Sequence, residues 1–139
     1  MSGRTVLVTG GNRGIGLSIA RAFAEQGYKV AVTHRTHPVD EFLSVRCDVT
    51  STQEVDAAFT SIEEQLGPVE ILVSNAGITQ DQLLLSMKDD AWDAVLDANL
   101  TGAYRVARRA TSKMIRARWG RMIFISSVVA MIGSPGQTN

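Results

Sequence analysis

The chain has 139 residues, 45% of them hydrophobic, with fourteen acidic and fourteen basic side chains. That length suits one domain with a real core, and the composition excludes a disordered polyelectrolyte. No apolar run approaches the ~20 residues that span a bilayer, no secretory leader pattern is visible, and the lone Cys47 has no partner for an internal disulfide, so a reducing cytoplasm is expected. Charge is balanced overall but not locally. Residues 1–97 carry all fourteen acids against seven basic residues, whereas residues 98–139 carry seven basic residues and no acid. The basic run is either a solvated helix face with counter-charges elsewhere in the fold or a docking surface for an acidic partner.

In chain order, Thr5–Thr9 reads as a strand. Residues 15–26 read as a helix with Ile15, Ile19 and Phe23 on one face and Gly27 as its stop. Lys29–Thr33 and Leu43–Cys47 read as two further strands. Ser51-Thr52-Gln53-Glu54 is a capping box, followed by Val55, Phe59, Ile62 and Leu66 at helical spacing. Val69–Val73 reads as a fourth strand. Ser86 is expected to cap a helix carrying Trp92, Val95 and Leu96. A long helix is expected from Leu100 to Arg118, with Leu100, Ala103, Tyr104, Ala107, Met114 and Ile115 as its apolar face. Met122–Ile125 reads as a fifth strand and residues 133–139 as a loop. Strands alternating with helices over short connections predict a parallel α/β sheet.

The most informative stretch is Thr9-Gly10-Gly11-Asn12-Arg13-Gly14-Ile15-Gly16, between the first strand and the first helix. Glycines let a phosphate approach the backbone, and the free N–H groups and dipole of the helix start attract its charge. The spacing T-G-x-x-x-G-x-G differs from the general G-x-G-x-x-G dinucleotide turn, but its strand–turn–helix setting is the same. The second strand ends at Thr33-His34-Arg35, where an NAD-selective site would place an acid for the ribose hydroxyl. The pair His34 and Arg35, joined by Arg13, suits the 2′-phosphate of NADP; the alternative is an exposed polar loop. His34 and His37 without a third ligand make no metal site.

Asp48, after the third strand, is placed either to accept from an adenine amino group or to cap the following helix. Asn75-Ala76-Gly77 follows the fourth strand, as an ordinary turn or as small residues leaving room for a ligand. Ser127 stands at the carboxyl end of the fifth strand, where such folds bind ligands, or serves as a turn residue.

Together these motifs resemble the short-chain dehydrogenase/reductase family, over essentially the whole chain and in order. Thr9–Gly16 matches its cofactor turn, Asn75-Ala76-Gly77 its N-A-G motif, and Asn99 and Ser127 two members of its catalytic tetrad. Asn99-Leu100-Thr101-Gly102 and the stretch from Ile125 to Asn139 look most like the 3-oxoacyl-acyl-carrier-protein reductases, and the first turn with Thr33-His34-Arg35 like their actinobacterial type. The resemblance implies the amino-terminal part of a Rossmann-type doubly wound sheet of about five strands, a single NADP(H)-binding domain over 1–139 without the family's last strands and helices.

It implies that Gly10, Asn12, Arg13, Gly14, Ile15 and Gly16 cradle the cofactor. Arg13, Arg35 and His34 would hold its 2′-phosphate, Asp48 and Val49 the adenine, and Asn75, Ala76 and Gly77 the ribose region. Ser127 would bind the substrate carbonyl and Asn99 a relay water. Arg118 would meet the acidic acyl carrier protein, and the complete enzyme would be a homotetramer that binds neither nucleic acid nor membrane. The family's Tyr-x-x-x-Lys pair would begin immediately after Asn139, so no turnover is expected from these residues alone. A non-catalytic NADP-binding module and a protein-interaction remnant are the competing expectations.

Overall fold

The computed structural model describes residues 3–139. Five parallel strands form one sheet in the order β3-β2-β1-β4-β5, with β1 at Thr5–Val8, β2 at Lys29–His34, β3 at Leu43–Arg46, β4 at Val69–Ser74 and β5 at Arg121–Phe124. Every pairing is parallel, with Leu7 opposite Ala31 on one side and Leu72 on the other. Successive strands first step outward from β1 to β3; β4 then returns to the far side of β1. That reversal opens a crevice at the carboxyl ends of β1 and β4.

The β1 run is buried on both faces, as a central parallel strand requires. One face packs Leu7, Ala31 and Leu72 against Val55, Phe59 and Ile62 of α2 (Thr52–Leu66) and Val106 and Ala110 of α4 (Gly102–Ala117). The other packs Val6, Val8, Val32 and Val73 against Ala20, Ile19 and Phe23 of α1 (Gly14–Glu25). Helices cover both faces, so the sheet is doubly wound, as expected.

Local expectations differ from the structure in four places. Ile15 does not join the α1 core face; it is 67% exposed and lines the crevice, while Gly16 and Ala20 take the buried positions. The capping box is half formed: Ser51 Oγ accepts from Glu54 N–H at 3.2 Å, but the Glu54 carboxylate accepts from Asp48 N–H at 2.8 Å instead of reaching Ser51.

Ser86 caps no helix. It lies in a short 3-10 turn, and α3 (Asp89–Leu96) starts three residues later, after the N-cap Lys88, whose N–H donates to Gln82 Oε1 at 2.9 Å. α3 also does not stop before the long helix. It continues through a π turn, Asp97–Thr101, into α4. The buried stripe of α4 is Gly102, Val106, Ala110 and Met114, and the expected stripe leaves Leu100, Tyr104 and Ile115 in solvent. Of the expected stripe, Met114 is buried and Ala107 packs against the core; α4 carries two adjacent apolar stripes, and apolar spacing alone does not tell which one faces the sheet.

Candidate functional site

The crevice is organised by Thr9, which is buried at the end of β1. Its Oγ1 accepts from Asn75 N–H at 3.0 Å and Ala76 N–H at 3.1 Å. Asn75 Nδ2 donates back to the carbonyls of Thr9 at 3.0 Å and Gly10 at 3.2 Å. These bonds lock the glycine turn to the segment after β4. Asn12 Nδ2 donates to the His37 carbonyl at 3.0 Å and ties the turn to the β2–β3 connection.

Gly14 opens α1 at a φ of 53°, a conformation that favours glycine. A Cβ at Gly16 would lie 2.5 Å from Asn75 Nδ2, so the close approach of helix and turn needs glycine there too. No side chain caps the start of α1, which leaves its first N–H groups directed at the crevice.

A cleft of about 790 Å³ follows. Gly10, Asn12, Arg13, Gly14, Ile15, Gly16, His34, Arg35, Asp48, Val49, Asn75, Ala76 and Gly77 all line it. Ala94, Asp97 and Ala98 line it as well, and the sequence carried no signal for them, because only the tertiary course of α3 and the π turn after it brings them there.

Within the cleft the charged groups differ in state. Arg35 is exposed and no carboxylate pairs with Arg13 or Arg35 among the described residues. His34 is 9% exposed, and burial, then the charges of Arg46 and His37, hold its imidazole below the ordinary histidine value. Burial thus favours its neutral form in the cleft wall. Its Nδ1 is buried without a partner.

Burial raises the Asp48 carboxyl, but bonds from Thr50 N–H at 2.9 Å and Thr50 Oγ1 at 2.8 Å, with the charges of Arg35 and Arg46, outweigh it and hold the group ionised below its usual range. Asp48 thus caps a turn through Oδ1, and Ser51 is the helix cap. Cys47 is buried, and its thiol is pushed up to about 12 by burial and by Glu54 and Asp48, so it packs as an inert small side chain.

A second cleft adjoins the first and shares Arg13, Ile15, Arg35 and Asn75 through Ile78 with it. Ser127 and Asn99 both line it, with Phe124, Ile125, Thr138 and Asn139. Ser127 Oγ accepts from Val129 N–H at 3.2 Å, at the head of the short α5 (Val129–Ile132). Asn99 lies in the π turn, and both polar atoms of its amide bond the backbone of Ile78: Oδ1 accepts from Ile78 N–H at 2.8 Å and Nδ2 donates to Ile78 O at 2.9 Å.

Arg118 is not brought to either cleft. It ends α4 at the amino edge of the sheet, about 24 Å of helix away from Gly102. Two of the seven basic residues beyond position 97 are neutralised by the acidic half of the chain: Arg105 by Asp97 at 2.8 Å and Arg109 by Glu63 at 2.9 Å and Asp56 at 3.7 Å. Arg108, Lys113, Arg116, Arg118 and Arg121 have no carboxylate within 4.0 Å among the described residues. Among those residues, no helix is long and apolar enough to cross a membrane.

The chain is similar to three curated reductases across nearly all its length. The 3-oxoacyl-[acyl-carrier-protein] reductase MabA of Mycobacterium tuberculosis (strain ATCC 25618 / H37Rv) is 55% identical over 137 residues, covering 98% of this chain and 56% of the relative. MabA of Mycobacterium avium is 53% identical, with 98% and 54% covered. The 3-oxoacyl-[acyl-carrier-protein] reductase FabG of Staphylococcus aureus (strain N315) is 41% identical, with 98% and 61% covered. The chain thus spans little more than half the length of these relatives. The short chain dehydrogenase family matches residues 4–139, and with the doubly wound sheet and the glycine turn at its switch point this chain belongs to that family.

Proposed function

We propose that this chain forms the cofactor-binding portion of an NADPH-dependent 3-oxoacyl-acyl-carrier-protein reductase of fatty-acid elongation, working in the cytoplasm. One observation carries the reading: the uncapped start of α1, the glycine turn and the unpaired Arg13 and Arg35 line one cleft, with no acid at the end of β2. The residues fit NADP. The glycine turn and helix start suit a pyrophosphate, and two unpaired guanidiniums suit the additional phosphate. His34 would pack beside that phosphate as a neutral ring. Val49 and Asp48 would border the adenine, and Asn75 to Gly77 the ribose region.

When bound, the cofactor supplies a hydride for a 3-keto group. Ser127 would donate a hydrogen bond to that carbonyl oxygen and stabilise the negative charge developing on it. Asn99, whose amide clamps Ile78, would hold a relay water. Neither Tyr28 nor Tyr104 is followed four residues later by lysine, so neither supplies the family's proton-donor pair. The 139 residues alone would then bind the cofactor without turning substrate over. In a homotetramer the exposed stripe of Leu100, Tyr104 and Ile115 would meet a second copy. An antiparallel pairing of the two α4 helices would carry Arg118 of one copy toward the cleft of the other, which reconciles carrier docking at Arg118 with its distance from Ser127.

The test is a fluorescence titration of the chain with NADPH and NADH. NADPH binds more tightly, Arg35→Ala loses about tenfold of that preference by removing one charge-assisted bond, and Gly16→Ala abolishes binding of both. Equal affinity for the two nucleotides, or binding unaffected by Gly16→Ala, overturns the proposal.

A further inference from the structure

Arg118 is the one non-glycine residue with positive φ among those described, at 50°. The end of α4 explains why the chain turns there. Arg118 N–H donates to Ile115 O at 3.0 Å and Trp119 N–H donates to Met114 O at 3.1 Å, the two bonds of a Schellman ending. Glycine is the usual residue at the turning position, because a Cβ is strained in it. Here glycine stands two positions later, at Gly120, where a Cβ would lie 2.5 Å from the Met114 side chain. The strained position is given to an exposed arginine without a carboxylate partner.

The next residue is held from two sides. The Arg4 guanidinium lies 3.6 Å from the Trp119 ring centroid and the Arg121 guanidinium 5.0 Å from it. Arg4 is itself fixed by Glu70 at 2.7 Å, and Trp119 packs against the core on the α1 face of the sheet. Cation–π contacts of this kind anchor the ring to the residue that leads into β1, itself paired with Glu70 of β4, and to the start of β5. A turn that would relax with a mobile ring is therefore clamped to the rigid centre of the fold.

We propose that Trp119, clamped by Arg4 and Arg121, is a positioning residue that holds the strained turn so that Arg118 stands clear of α4 as the contact for an acidic carrier protein. This rests on the carrier-docking reading above. The surroundings suit such a partner: Lys113, Arg116 and Arg121 are unneutralised near the same end of α4, and residues 98–139 contain no acid.

The experiment titrates the chain into fluorescently labelled holo-acyl carrier protein at low salt, with melting temperature and NADPH affinity measured in parallel. The unmodified chain binds, and binding weakens with added salt. Arg118→Gly raises the melting temperature by about 2–5 °C yet weakens carrier binding severalfold. Trp119→Leu, which keeps an apolar side chain against the core on the α1 face, also weakens carrier binding severalfold and leaves NADPH affinity alone; Trp119→Phe restores it. Arg4→Met repeats the loss from the other side of the ring, which covers the case in which Trp119→Leu does not fold. If the unmodified chain binds no carrier, the docking reading itself fails. If it binds and Arg118→Gly weakens it, but Trp119→Leu and Arg4→Met bind like the parent, the positioning role is wrong. An unchanged or lowered melting temperature for Arg118→Gly removes the strain argument.

Discussion

Thr9 and His34 are both small polar commitments inside an apolar sheet, and they resolve oppositely. Thr9 is buried with its hydroxyl satisfied by two N–H donors, so it costs nothing in unpaired groups and fixes the turn. His34 is buried with Nδ1 unpartnered, beside the charges of Arg46 and His37. Its folded pKa lies below the unfolded one, so the unfolded chain binds the proton more readily. The neutral ring contributes its full stability above the unfolded value of about 6.5, and this is lost as pH falls from there toward the folded pKa. Asp48 acts in a separate window: its folded pKa is depressed, so its contribution fades only as pH falls below the ordinary carboxylate range. Urea denaturation of the chain at pH 7.5 and pH 5.5 will show stability falling with acid, and His34→Gln will flatten that fall. A slope unchanged by His34→Gln would place the proton uptake elsewhere.

Among the elements, the π turn at Asp97–Thr101 has the largest consequences. It joins α3 and α4 into one run, places Asn99 where its amide clamps Ile78, and leads into α4, whose Val106, Ala110 and Met114 face the sheet. The two apolar stripes of α4 therefore do different work. Val106→Ala removes two fully buried methyl groups and should destabilise the chain by about 1–3 kcal/mol. Ile115→Ala, at 69% exposure, should change stability by less than about 0.5 kcal/mol while weakening any self-association through that stripe. Chemical denaturation and sedimentation velocity on the two variants separate the roles; equal destabilisation would mean that the helix is rotated from the position described.

At the scale of the molecule the sheet is asymmetric. β3 and β5 are its edges, and β5 leaves Ile123 and Phe124 half exposed beside the unpaired backbone of its outer side. An apolar edge of this kind templates strand addition. The chain should therefore self-associate with rising concentration, and Ile123→Lys should reduce the light scattering several-fold while leaving the cleft at the switch point intact. Scattering that Ile123→Lys does not change would assign the association to the α4 stripe.

The order of strands and helices, the parallel sheet and the glycine turn were legible in the residues, because period-two and period-3.6 apolar patterns and glycine turns are local consequences of backbone geometry. Gly14 and Gly16 announced the tight turn into α1, and Asn75 to Gly77 the segment that locks it across the switch point. What only the tertiary structure decided depends on groups far apart in the chain: the burial of His34 with its Nδ1 unpartnered, and the choice between the two apolar stripes of α4, which is made by packing against the sheet and α2. The placement of Arg118 at the opposite edge of the sheet from Ser127 belongs there too. A run of residues records its own periodicity, but dielectric surroundings and distances across a fold arise only when separate elements pack.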